Sequence, residues 1–163
     1  MFRLGSAFAL VIVVFDQISK WWVLAELADP PKIIPVTSFF TLVLAWNRGV
    51  SFSLFSGQAP PYVFAAVALI IVIGLSIWLW RADNRWLAVG IGLIIGGAVG
   101  NVIDRLRFGA VADFLYFHVG EFYWPAFNLA DSAITIGVTM LIIDSLFGRR
   151  GPREETELNG RKG

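Results

Sequence analysis

The sequence contains no cysteine, which excludes disulfides, thiolate metal sites and a cysteine nucleophile. It has one histidine, His118. A zinc centre built on several histidines is therefore ruled out, and the HExxH pattern is absent. The same scarcity disfavours a serine–histidine nucleophile, and no GxSxG-like elbow is present to present one. Charge is sparse and balanced: 13 Lys and Arg stand against 12 Asp and Glu, together 15% of residues. The basic residues are scattered and form no stripe, so no nucleic-acid partner is expected. A phosphate loop is missing too, because the glycines at 96, 97 and 100 are not followed by GK[ST].

Apolar bulk is abundant. Of the 163 residues 57% are hydrophobic, with seven Trp, three Tyr and fourteen Phe, and mean hydropathy is +0.71. Soluble domains hold about 45–50% apolar residues, so this is the composition of a membrane protein. Segments at 4–24, 62–80, 87–103 and 130–147 each approach the ~20 residues a helix needs to cross a bilayer. The first resembles a signal peptide, with Arg3 before an apolar run. The run continues through Asp16-Gln-Ile-Ser-Lys20 into Trp21 and Trp22 without a small-residue cleavage site, and reads as a retained span.

The expected fold is thus an all-α polytopic membrane protein of four transmembrane helices. A small extracytoplasmic β-sheet is expected between helices 1 and 2, in the loop 25–61, whose β-type runs are broken by Pro and Gly. One domain covers 1–147. The segment 148–163 is polar, charged and Gly-containing, with the composition of a disordered cytoplasmic tail. Eight basic residues (Arg3, Arg81, Arg85, Arg149, Arg150, Arg153, Arg161, Lys162) fall on one side and five (Lys20, Lys32, Arg48, Arg105, Arg107) on the other. That bias places both termini in the cytoplasm. Spans three and four then meet at the outer surface, where Asp113 and Asp131 lie.

Acids so close to hydrocarbon are expensive and mark function by default. Asp131 falls in the first turn of span four, three residues after Asn128, where the positive helix end suits a carboxylate. Asp113 is flanked by Phe108, Phe114 and Phe117, and desolvation there raises a carboxyl pKa. Facing one another, the two would share a proton and form the acid and base of an aspartyl hydrolase. The plainer alternative is two solvated loop acids, one assisting a helix cap. Asn101 and Arg105 share a helical face, with Gly92, Gly96 and Gly100 spaced for close helix packing; Asp104 and Arg105 could equally mark the helix end. Asp16 and Lys20, four apart, read either as an intrahelical ion pair or as Lys20 snorkelling while Asp16 bonds a neighbouring helix. A tight turn accounts for Asn47-Arg-Gly49, and His118 reads as a surface residue.

Five pieces occur in order: Asp16-Gln-x-x-Lys20; Asn47-x-Gly49-x-x-Phe52; Gly96-Gly-x-x-Gly100-Asn-x-x-Asp104-Arg105; Val111-x-Asp113-Phe114; and Phe127-Asn128-x-Ala130-Asp131. Together they resemble the lipoprotein signal peptidases (signal peptidase II), collinearly up to Phe147. The resemblance implies a bacterial inner-membrane aspartyl endopeptidase acting in lipoprotein maturation. Its substrate would be a diacylglyceryl-prolipoprotein, cut just before the lipidated Cys. Asp113 and Asp131 would be catalytic, and Asn47, Gly49, Asn101, Arg105, Asn128, Asp16 and Lys20 would support them or bind substrate. No metal and no cofactor is implied. Membrane lipid is a further partner, and the chain is expected to act as a monomer. The rival from another class is a small proton-coupled membrane carrier, which would hold its acids nearer mid-bilayer, in repeated halves. A third reading is a non-catalytic scaffold, with the polar residues holding helices together.

Overall fold

The computed structural model describes residues 1–49 and 60–147. Phe52 and the rest of the outer loop at 50–59, and the tail 148–163 with its basic residues, lie outside the described residues. Four long helices cover the expected spans: α1 (Phe2–Leu27), α2 (Pro61–Trp80), α3 (Arg85–Phe108) and α4 (Leu129–Phe147). Each is long and apolar enough to cross a membrane. At 1.5 Å per residue the 20 residues of α2 span about 30 Å, the thickness of the hydrocarbon core.

The most buried of the four, α3, packs against all the others. In lipid, helices gain little from hiding apolar surface and associate instead by close backbone approach. The sequence of α3 provides this on two faces. A Cβ on Gly92 would strike the carbonyl oxygen of Gly5, and one on Gly96 would come within 2.6 Å of the Ala9 oxygen, so this face seats α1. On the other face, Gly97 abuts the Ala130 carbonyl, while a Cβ on Gly137 would lie 2.6 Å from the Gly90 oxygen; this seats α4. The helix is also well terminated. Asn84 caps its start by accepting from the Leu87 N–H at 2.7 Å. Gly109, at φ 70°, ends it in the left-handed conformation and donates to the Arg105 carbonyl.

Two features depart from expectation. First, α3 runs five residues beyond 103, so Asp104 lies within it, while Arg105 falls in its last turn as a helix-end residue does. Charge alone suggested a helix end, but Asp104 is buried against a cation. Second, the sheet is not confined to the loop between α1 and α2. Only β1 (Ile33–Pro35) and β2 (Phe40–Asn47) come from there; β3 (Val111–Val119) and β4 (Phe122–Tyr123) come from the α3–α4 connection. The four strands run antiparallel in the order β1-β2-β3-β4. The strand at 111–119 went unread because its first four residues are all buried, which removes the in–out alternation that signals a half-exposed strand. Phe114 packs with Val23 and Leu27 at the end of α1, fixing the sheet over that end of the bundle.

Pairing of β2 with β3 slips once. Leu42 faces Leu115, yet Ala45 faces Asp113, so three steps on β2 match two on β3. This bulge flips the parity of the strand beyond it. Asn47, two residues past Ala45, therefore shares the face of Asp113; in an unbroken register Trp46 would occupy that face.

The packing yields a paired test. Gly92→Ala should lower the unfolding free energy in detergent by about 1–3 kcal/mol, because the methyl group meets backbone. Gly74→Ala, with nothing within 4 Å of the new atom, should leave it unchanged or raised. Equal effects on thermal unfolding would refute the backbone-contact account.

Candidate active site

Beneath the sheet the Lys20 ammonium is buried, its side chain 3% exposed. It uses all three of its N–H donors. Asp16 Oδ2 lies at 2.9 Å and Asp104 Oδ2 at 2.8 Å, while Asn101 Oδ1 accepts at 3.1 Å. Gln17 Nε2 adds bonds to Asp16 and Asp104, each 3.1 Å. Both readings of Asp16 and Lys20 hold in part: the intrahelical ion pair forms, and Asp16 also bonds a neighbouring helix at Ala130. Lys20 points inward and does not snorkel.

Each of these carboxylates also reaches out of the helices. Asp104 Oδ2 accepts from the Ala112 N–H at 3.2 Å, immediately before Asp113. Asp16 Oδ1 accepts from the Ala130 N–H at 3.0 Å, immediately before Asp131. The strand bearing one acid and the helix bearing the other are thus anchored to the same ion cluster. Since Lys20 occupies the oxygen of Asn101, the amide nitrogen of that residue must face the other way. It donates to Asp131 Oδ1 at 2.8 Å.

Asn128 completes the link. Its side-chain nitrogen donates to Asp113 Oδ1 at 2.7 Å and to Asn101 Oδ1 at 3.2 Å. Its side-chain oxygen caps α4 by accepting from the Asp131 N–H at 2.9 Å, and Asp131 Oδ2 accepts in return from the Asn128 N–H at 3.3 Å. This is a reciprocal capping box that uses an acid at its third position. Asn47, re-aimed by the bulge, donates to Asp113 Oδ2 at 3.1 Å, and its oxygen accepts from the Gly49 N–H at 3.1 Å. Arg105 donates to the carbonyls of Gly49 at 2.9 Å and Asn101 at 3.3 Å and lies over the Phe64 ring. Its buried Nε has no partner among the described residues.

Asp113 and Asp131 both open onto one cleft of about 440 Å³, lined also by Asn47, Trp124, Phe127 and Thr135. The two acids differ in surroundings. Asp113 is 2% exposed, whereas Asp131 is half-buried at the cleft wall. Burial pushes the Asp113 pKa up from 3.8 to about 7, and the nearby charge of Asp131 raises it further; the Asn47 and Asn128 bonds and Lys20 act in the opposite sense. Among the described residues no group of three or more His, Asp or Glu is arranged to hold a metal ion.

All nine residues singled out in the sequence meet here. Asp16, Lys20, Asn101 and Asn128 hold the positions of Asp113 and Asp131, Asn47 and Gly49 join from β2 and the turn after it, and Arg105 ties that turn to α3. Asp104 and Gln17 carry as much of the network but were seen only as parts of motifs. The signal for Asp104 was available: a buried Lys20 already paired once still has two donors to satisfy.

The comparisons with known proteins agree. A family model described as Signal peptidase (SPase) II matches residues 8–147. The lipoprotein signal peptidase of Rhodopseudomonas palustris (strain TIE-1) is 47% identical over 153 residues, covering 90% of this chain and 93% of that protein. That of Methylorubrum extorquens (strain PA1) is 44% identical over 169 residues, covering 99% and 96%. A solved bacterial membrane enzyme, determined by the in meso method, is 32% identical with a TM-score of 0.76, covering 92% of each chain.

The ion cluster makes a direct prediction. Lys20→Met leaves two buried carboxylates without a cation and should cost about 3–5 kcal/mol of unfolding free energy. Adding Asp104→Asn should recover part of the loss. If the double variant unfolds no later than the single one in a denaturation series, charge imbalance is not the cause.

Proposed function

The chain belongs to the signal peptidase II family, and on that premise we propose that it is an aspartic endopeptidase that removes the signal peptide from diacylglyceryl-modified prolipoproteins, cutting just before the lipidated Cys. The observation that carries this reading is the single cleft shared by Asp113 and Asp131, with the buried member raised to about 7. Family membership as a peptidase leaves the carrier reading without support.

The two environments assign the roles. Asp113, desolvated, serves as the acid; its amide partners remain compatible with a neutral carboxyl, whose hydroxyl oxygen still accepts. Asp131, held by two N–H donors at the start of α4, serves as the base. A water loses a proton to Asp131 as its oxygen adds to the scissile carbonyl carbon, and Asp113 gives its proton to the carbonyl oxygen. The C–N bond then breaks as Asp131 passes its proton to the leaving nitrogen. Asp113 recovers its own from the collapsing diol. Each carboxyl ends as it began, and no cofactor enters. Asn47, Asn101 and Asn128 hold the acids in place, while Arg105 braces the turn after Asn47 through the Gly49 carbonyl.

Location supports the same reading. The cleft lies where the helix ends meet the sheet, the depth at which a membrane-anchored signal helix and a lipidated Cys present the bond between them. Phe39, Val119, Phe122 and Trp124 leave apolar surface on the sheet and the segment after it, suited to the lipid interface. We place this face on the outer side of the bacterial inner membrane, with both termini cytoplasmic, from the distribution of Lys and Arg. The working unit is a monomer in this proposal.

Two outcomes are expected. With purified protein in detergent and a diacylglyceryl-prolipoprotein, Asp113→Asn and Asp131→Asn should each abolish cleavage while still folding, because an amide can neither share the proton nor act as base. Retained activity in either variant removes that residue from the dyad. The rate should also fall as pH rises through about 7, where Asp113 loses its proton. Stability carries the same sign. Between 3.8 and about 7 the native state holds a proton that the unfolded chain releases, so stability falls as pH rises across that window. Asp113→Asn should therefore gain stability relative to wild type over the same range. A constant difference from pH 4 to 8 in thermal unfolding would sink the acid assignment.

A further inference from the structure

At the end of the bundle opposite the sheet, a second groove of about 520 Å³ runs along α2. Phe2 and Trp80 form one wall, their rings tilted with centroids 5.2 Å apart. Val72, Ile73 and Ile77 continue it toward mid-membrane, and Arg81 closes the outer end. The lining is almost wholly apolar apart from that guanidinium and Ser76, whose hydroxyl is already spent on the Val72 carbonyl.

Three helix ends converge there, because Gly5 of α1 touches both Leu79 of α2 and Ala88 of α3. Arg81 lines the groove itself, while Arg3 and Arg85 are exposed near the ends of the two adjoining helices. Among the described residues no carboxylate pairs with any of the three. Among the described residues the acids of this end, Asp83 and Asp144, both accept from the Asn84 side chain instead.

An apolar trough about 13 Å long, ending in a guanidinium that no carboxylate pairs among the described residues, is complementary to one occupant a membrane supplies. We propose that this groove binds an anionic glycerophospholipid, one acyl chain lying along α2 from Val72 to Trp80 and the phosphate resting at Arg81. A zwitterionic lipid would fill the same trough but would bring its own cation to the arginine rim. The acyl contacts give occupancy, and the rim gives the choice of headgroup.

The test is native mass spectrometry of the full chain in detergent with phosphatidylglycerol and phosphatidylcholine added at equal concentration. Wild type should retain the anionic lipid over the zwitterionic one, and Arg81→Gln should cut that preference about fivefold, the value of one basic residue near a lipid surface. Arg3→Gln should reduce it in the same direction. Ile73→Trp, at a position 60% exposed, should fill the groove and remove the adducts of both lipids. All three positions are remote from the cleft at the sheet, so cleavage and thermal unfolding in lipid-free detergent should match wild type. Equal retention of the two lipids, an undiminished preference in both arginine variants, or adducts that survive Ile73→Trp would each overturn the proposal. The first two outcomes would leave the arginines as determinants of topology only.

Discussion

A lysine ammonium buried among membrane helices must find counter-charge, and the site is built around meeting that demand. Lys20 draws Asp16 from its own helix and Asp104 from α3 into one cluster. The two carboxylates have oxygen capacity to spare, and they spend it on the backbone N–H groups next to Asp113 and Asp131. The third donor of Lys20 sets which way the Asn101 amide faces. Burial of one cation thereby ties α1, α3, β3 and α4 into a single polar unit. Such a cluster is costly in desolvation and earns no stability by itself. Its return is geometric: two acids from distant parts of the chain are held to one cleft.

The asymmetry of those acids has a structural source. Asp113 lies on a strand segment buried on both faces and meets Asn47 through the bulge in β2 and Asn128 at the start of α4. Asp131 lies in the first turn of a helix, at a cleft wall, with a backbone N–H and a side-chain amide directed at its oxygens. A strand interior removes water from one carboxyl, while a helix start surrounds the other with donors. The same pair of residues on two equivalent loops would have no reason to take the two different roles proposed for them.

Much of this was legible in the sequence. Four apolar runs gave the spans to within a few residues at most ends, because hydropathy in lipid leaves few alternatives. The Asp16–Lys20 spacing and the glycines at 92, 96 and 100 named contacts that the structure contains. Where the reading failed, the missing signal was tertiary. Strand β3 hides its alternation because both its faces are covered. The extra turn of α3 was concealed by Asp104, whose charge looks like a helix end until Lys20 is placed beside it. The bulge between Leu42 and Ala45 has no marker in β2, which contains neither Gly nor Pro there, so the facing of Asn47 toward Asp113 could be expected from the family pattern but not from strand periodicity.

The spacing of Asp16 and Lys20 also bears on how the chain comes to be in the membrane at all. Helix α1 is made first and enters lipid before α3 exists to help it. With acid and base four residues apart on one face, its two buried charges neutralise each other within the helix, so the segment crosses as a net-neutral rod. Asp104 arrives later, on a helix whose glycine face already fits α1, and meets a cation whose remaining donors are still unspent. The order in which the ribosome delivers the helices is thus the order in which the ion cluster can be completed without any intermediate leaving a bare charge from α1 in hydrocarbon.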